Sequence, residues 1–112
     1  MLTDTHCHLY YQDLRNDIPA VLNRAAKLGV NRFICVGTNI QDSRKCLELA
    51  NAHEKIYATA GVHPHDAKDT PKDYLDQICD LLKSDKMIAA GEMGLDYYRN
   101  ISEPEIQNRV FR

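Results

Sequence analysis

Arg32-Phe33-Ile34-Cys35-Val36-Gly37-Thr38-Asn39 decides the fold, because the four apolar residues from Phe33 to Val36 leave no polar face for a strand to turn to water. A short run of this kind, closed by turn residues, reads as a strand covered on both faces, as strands of a parallel sheet are. On its N-terminal side Ile18, Val21, Leu22, Ala25 and Leu28 recur at helical spacing. Asp17 is the expected N-cap, Pro19 falls in the first turn and Gly29 lies just past the end, so this helix is bounded on both sides. On the C-terminal side a second helix, beginning between Asn39 and Ser43, carries Cys46, Leu49, Ala50 and His53 on one stripe.

The alternation extends outward in both directions. Leu2 to Thr5 is a short strand candidate, and Ile56 to Val62 a third strand that runs directly into His63-Pro64-His65-Asp66. Thr70 is the expected cap of a third helix, with Pro71 at its first position and Asp73 completing a capping box. Leu75, Ile78, Cys79 and Leu82 are its expected buried stripe. Met87 to Gly91 forms a fourth strand that delivers Glu92. Ser102 and Glu105 then predict a capping box for a fourth helix, whose apolar face of Ile106, Val110 and Phe111 reaches the chain end at Arg112. Strand and helix thus alternate four times, at intervals of about 25 to 31 residues and without a sequence repeat. Strict alternation of this kind demands a parallel sheet with right-handed crossovers, in either a doubly wound sheet or a (β/α)8 barrel.

Composition narrows the function classes. At 112 residues and 44% hydrophobic, the chain is one domain's worth and long enough to bury a core. A formal charge of −2, with both signs interspersed, gives no broad basic face for tight nonspecific binding to duplex DNA. Cys7, Cys35, Cys46 and Cys79 form no CxxC pair and read as small buried hydrophobes in a reducing compartment. Asp4 stands where a signal peptide would be apolar, and no window approaches the roughly 18 apolar residues of a membrane span. The expected location is cytoplasmic, with no membrane partner.

The chemistry-bearing residues sit at the expected strand ends. In an extended strand His6 and His8 point to one face, where they can grip the same cation, while Cys7 points away. Asp4 lies on the same side and is expected to accept a ring N–H, fixing which nitrogen faces the metal. His63 and His65 follow the third strand and Glu92 the fourth, whereas Thr38 and Asn39 close the second. Several strand ends feeding one centre suit a closed barrel mouth better than the single crevice of an open sheet. Two imidazoles with a carboxylate suit zinc, manganese, iron or nickel, while magnesium would prefer more oxygen ligands. A carboxylate such as Glu92 can bridge two cations that activate water for a phosphoryl displacement. His63 could position a phosphate oxygen or relay a proton. His65 and Asp66 read as turn chemistry, Asp96 either as an acceptor supporting the site or as a loop residue, and His53 as a histidine satisfying carbonyls at a helix end.

Three stretches together, Asp4-Thr5-His6-Cys7-His8-Leu9, Gly61-Val62-His63-Pro64-His65 and Gly91-Glu92-Met93-Gly94-Leu95-Asp96-Tyr97-Tyr98, closely resemble the TatD family of metal-dependent deoxyribonucleases. The resemblance covers essentially all of this chain, but only the N-terminal part of the family. It implies a TIM (β/α)8 barrel of which residues 1–112 supply the first four β/α units, the N-terminal half of a metal-dependent hydrolase barrel. It also implies two divalent ions in the complete enzyme (zinc, manganese or magnesium) and hydrolysis of phosphodiester bonds in DNA, single-stranded or at a 3′ end. By the same resemblance His6, His8 and Glu92 are metal ligands, with Glu92 shared between the ions. Glu92 and His63 are the catalytic candidates.

A typical barrel needs about 250 residues, and four units leave two strand edges unpaired and the inner face uncovered. A C-terminal half or a second chain is therefore expected to complete it. The competing readings are another barrel hydrolase that opens with His-x-His, amidohydrolase-like or a PHP-type phosphoesterase, and a non-catalytic interaction module. Leu9-Tyr10-Tyr11 after the histidine pair argues against the PHP type, which would favour a small polar run there.

Overall fold

A computed structural model describes residues 1–112. Four strands, β1 (Leu2–Cys7), β2 (Val30–Val36), β3 (Ile56–Ala60) and β4 (Met87–Ala90), form one sheet in the order β1-β2-β3-β4, with every neighbouring pair parallel. The helices are α1 (Gln12–Arg15), α2 (Ile18–Lys27), α3 (Ile40–Ala52), α4 (Tyr74–Leu81) and α5 (Pro104–Phe111), and a 3-10 helix covers Pro64–Asp69 after β3. None of them is long and apolar enough to cross a membrane.

The core lies on one face of the sheet. Phe33 and Cys35 of β2, Ile56, Ala58 and Ala60 of β3, and Met87 of β4 alternate along their strands, and so project to the same side. There they meet Ile18 of α2, Cys46 and Ala50 of α3 and Leu81 of α4. The opposite face is open at its margins, since Leu2 of β1 is 60% exposed and Ile88 of β4 48%. Ile34 is accordingly only half-buried, although Val36 and Thr59 are covered.

Most of the element boundaries follow the sequence signals. The Asp17 carboxylate accepts from Ala20 N–H at 3.1 Å and caps α2, and Gly29 takes a φ of +86° beyond it. Asn39 caps α3 by accepting from Asp42 N–H at 2.8 Å. The short α1 has no counterpart among the expected elements, and β1 runs on through His6 to Cys7.

Two caps differ from expectation. Thr70 gives its N–H to Ala67 O and its hydroxyl to Asp66 O, which closes the 3-10 helix instead of opening the next one. The N-cap of α4 therefore falls at Asp73. The helix then turns Tyr74, Ile78, Leu81 and Leu82 inward and leaves Leu75 and Cys79 exposed. Of the four thiols, all free, only Cys35 and Cys46 are fully buried. At α5 the cap position belongs to Glu103, because buried Ser102 is committed elsewhere: its hydroxyl donates to His65 O and accepts from Lys68 N–H.

Two glycines allow the strand ends to converge. A Cβ on Gly37 would collide with Ser43, whose hydroxyl donates to Asn39 O at 2.7 Å. A Cβ on Gly61 would lie 2.5 Å from the Gly91 carbonyl carbon and 2.8 Å from Glu92 O. Over that bare position the chain after β4 reaches β2, where Glu92 N–H donates to Gly37 O at 2.9 Å.

Candidate metal centre

His6, His8 and Glu92 come together at the C-terminal ends of β1 and β4, and their ligand atoms all lie within 4.8 Å of one another. Glu92 is held by its backbone bond to Gly37 O, and its neighbour Gly91 by Thr59, whose hydroxyl donates to Gly91 O at 2.7 Å. His6 Nε2 is 3.4 Å from Glu92 Oε2. His63, delivered just after β3 and fixed by donation from its N–H to Thr38 O at 2.8 Å, places Nε2 3.6 Å from the other oxygen, Oε1. One carboxylate is thus flanked by imidazoles from two strand ends.

The hydrogen bonds assign the ring nitrogens. His8 Nδ1 lies 3.0 Å from Val36 O, which can only accept, so Nδ1 carries the proton and Nε2 keeps its lone pair for a cation. The Tyr10 hydroxyl lies 3.2 Å from the same Nδ1, and burial of this tyrosine raises its phenol above the usual value. His63 has the opposite arrangement. Its Nδ1 accepts from His65 N–H at 3.1 Å, so in the neutral ring the proton sits on Nε2 and faces Glu92. His63 therefore offers a donor to an oxygen rather than a lone pair to an ion.

The expected role of Asp4 does not hold. Its carboxylate accepts the backbone N–H of His6 at 3.1 Å, two residues along its own strand, and the acceptor that orients a ring is the carbonyl of Val36 on the neighbouring strand. His53 stands away from the site, and its backbone N–H rather than its ring bonds the last turn of α3 at Leu49 O. His65 and Asp66 belong to the turn as expected, but both also tie loops together. Asp66 accepts from Asn39 Nδ2 at 3.1 Å, and His65 Nε2 lies 2.6 Å from Asp96 Oδ2. Asp96 is thus a loop residue that accepts from His65 at the edge of the depression around the site.

The depression around these residues, about 350 Å³, is also lined by Tyr11, Thr38 and Arg99. Tyr11 and Arg99 had no signal in the sequence, because neither belongs to a ligand pattern and both lie on loops. A larger hollow of about 520 Å³ lies between the start of α3 and the segment from the 3-10 helix to α4, and contains none of the three clustered ligands.

The profile of the family described as TatD related DNase matches residues 3–112. This chain belongs to the TatD family. It is 38% identical over 112 residues to the "Uncharacterized metal-dependent hydrolase YabD" of Bacillus subtilis, covering all of this chain and 44% of that protein. To the "3'-5' ssDNA/RNA exonuclease TatD" of Edwardsiella piscicida it is 39% identical over 111 residues, 98% of this chain and 43% of that one. Among solved structures, the crystal structure of YJJV, a TatD homolog from Escherichia coli, superposes with a TM-score of 0.89 at 31% identity, covering 98% of this chain and 43% of that one. The chain therefore spans less than half the length of the relatives it matches. Its four parallel strands are the first four β/α units of the TatD TIM barrel.

The donor set suits a divalent transition-metal ion. Two imidazoles and a carboxylate are the usual partners of such ions in hydrolases, and here the three donors already converge.

Proposed function

We propose that residues 1–112 are the N-terminal half of a metal-dependent hydrolase barrel that cleaves phosphodiester bonds in single-stranded DNA from its 3′ end, and that the protein works in the cytoplasm. The convergence of His6, His8 and Glu92 within 4.8 Å carries this reading, with His63 facing the same carboxylate from another strand end. His6, His8 and Glu92 would hold a divalent ion, which supplies a positive charge that favours ionisation of water and stabilises negative charge building on a phosphodiester. The residues themselves do the positioning. Val36 O keeps the His8 proton on Nδ1, and the bond from Glu92 N–H to Gly37 O sets the height of the carboxylate above the sheet. His63, with its proton on Nε2, donates to a non-bridging phosphate oxygen. The rest of the barrel would cover the open sheet face and add the further ligands needed for a second ion.

The test is hydrolysis of a 5′-labelled single strand by the purified protein with added zinc, manganese or magnesium. The expected result is shortening from the 3′ end, abolished by a chelator. Glu92→Gln keeps the shape but removes the charge, and should lower kcat/KM by about a hundred- to a thousandfold, ~3 to 4 kcal/mol of transition-state stabilisation. Near-normal turnover by Glu92→Gln would refute the assignment.

A further inference from the structure

Arg99 is the one lysine or arginine lining the depression that holds His6, His8, His63 and Glu92. Its backbone N–H is held by Asp96 Oδ1 at 3.0 Å, but its guanidinium takes part in none of the ion pairs or side-chain hydrogen bonds of the fold. The nearest carboxylate in sequence is already committed: Asp96 accepts from His65 through Oδ2, and from the N–H groups of Tyr98 and Arg99 through Oδ1. The loop carrying Arg99 is anchored from beneath. Gln107, 1% exposed, accepts from Asp96 N–H at 2.7 Å and donates to Asp96 O and Ser102 O at 3.0 and 2.6 Å. The backbone of the loop that carries Arg99 is thus anchored through Asp96 and Gln107, and its guanidinium is left unpaired at the rim of the depression.

Tyr11 lines the same depression as a different kind of group. Its ring stacks on His8 with centroids 5.1 Å apart and planes 14° from parallel, and Tyr10 meets it edge-on. It remains 53% exposed, and its hydroxyl enters no hydrogen bond of the fold. An exposed aromatic and a free guanidinium lining one depression match the two halves of a nucleotide, a base that stacks and a phosphate that pairs. The chain has a net charge of −2 and no basic face, so affinity for a strand must come from a few local contacts.

We infer that Arg99 and Tyr11 form a cradle for one nucleotide of the single-stranded substrate, with the guanidinium on a backbone phosphate and the Tyr11 ring under a base. This rests on the phosphodiesterase reading above. Stacking reads no base edge, so the cradle is tolerant of sequence, and an unstacked base is available only in a single strand or a frayed end.

The test is fluorescence anisotropy of a 5′-fluorescein single-stranded DNA ten-mer on the purified protein in a chelator, where binding is read without turnover. Arg99→Ala should weaken binding about tenfold and reduce the dependence of log K on log salt by ~0.7, the loss of one phosphate contact on a single strand. Tyr11→Ala should weaken it about tenfold with the salt slope unchanged, and Tyr11→Phe should restore it. Lys83→Ala, at an exposed lysine that follows α4 and pairs with Asp80 outside the depression, should bind as the parent does. Binding within twofold of the parent by both Arg99→Ala and Tyr11→Ala, while the parent binds and cleaves the strand, overturns the cradle alone. A parent protein that neither binds the ten-mer nor cleaves it with metal overturns the cradle and the phosphodiesterase reading together.

Discussion

His65 Nε2 and Asp96 Oδ2 lie 2.6 Å apart, joining the turn after β3 to the loop after β4 at the depression lined by His6, His8 and Glu92. The carboxylate can only accept, so His65 carries its proton on Nε2. The Asp96 carboxyl is held below the usual aspartate value, first by the backbone N–H of Arg99 and then by His65. A carboxyl that is more acidic when folded adds stability above its unfolded value and loses it as pH falls through the folded one. Thermal melts of the parent and Asp96→Asn should therefore differ at pH 6, and the gap should narrow below about pH 4. A gap of constant size down to pH 2 would show that the charge of Asp96 is not what binds the two loops.

Gln107 supports the same loop from α5, and both ends of its amide are used inside the protein. Gln107→Leu keeps the approximate shape but strips Asp96 and Ser102 of their partners, leaving buried backbone groups unpaired. It should cost about 1 to 3 kcal/mol in urea unfolding. An unchanged midpoint would mean that water replaces the amide without loss.

The architecture was legible because it rests on period and punctuation. Phe33 to Val36 reads as an interior strand and is one, and Asp17, Gly29 and Asn39 mark ends whose chemistry is local. Thr70 and Ser102 misled for a related reason. Each carries the right hydroxyl at a cap spacing, but tertiary partners claimed it: Asp66 O for Thr70, and His65 O with Lys68 N–H for Ser102. The grouping of His6, His8 and Glu92 could be anticipated from strand ends. The acceptor for His8 could not, since Val36 O is 28 residues away and a carbonyl has no signature in sequence.

Gly61 tests how tightly the strand ends must close. Its absent Cβ is the space through which the Gly91–Glu92 backbone passes, so Gly61→Ala forces that backbone away from Gly37 O. Overpacking of this kind is expected to cost about 1 to 3 kcal/mol. Metal affinity should fall with it, because the displaced residue is Glu92. Retention of both stability and metal affinity would show that the strand ends can move apart freely.

His63 and His53 are two histidines with opposite expectations. His63 turns a protonated Nε2 into the site, so His63→Ala should slow hydrolysis about 10- to 100-fold, the worth of its hydrogen bond to a charged phosphate oxygen, while bound metal stays the same. Loss of metal from His63→Ala, read by elemental analysis, would instead make His63 a ligand. His53 lies beyond the end of α3, so His53→Ala should leave turnover unchanged and lower stability only slightly.

Metal stoichiometry separates what residues 1–112 provide from what the remaining barrel would add. Three ligand atoms converge within 4.8 Å, enough with water to complete a tetrahedral site. A second ion would have to depend on the shared Glu92, because the His63 nitrogen that faces it carries a proton and His65 is turned to Asp96. Equilibrium dialysis against zinc or manganese should therefore give one tightly bound ion per chain, and His6→Ala or Glu92→Gln should abolish it. His6, His8 and Glu92 sit at the ends of β1 and β4, strands whose outer edges have no neighbour in the sheet, and misplacement by about 1 Å can cost roughly a hundredfold in rate. Residues 1–112 alone should accordingly cleave single-stranded DNA far more slowly than a complete barrel. Two tightly bound ions per chain with full turnover would show that the four units form a finished active site.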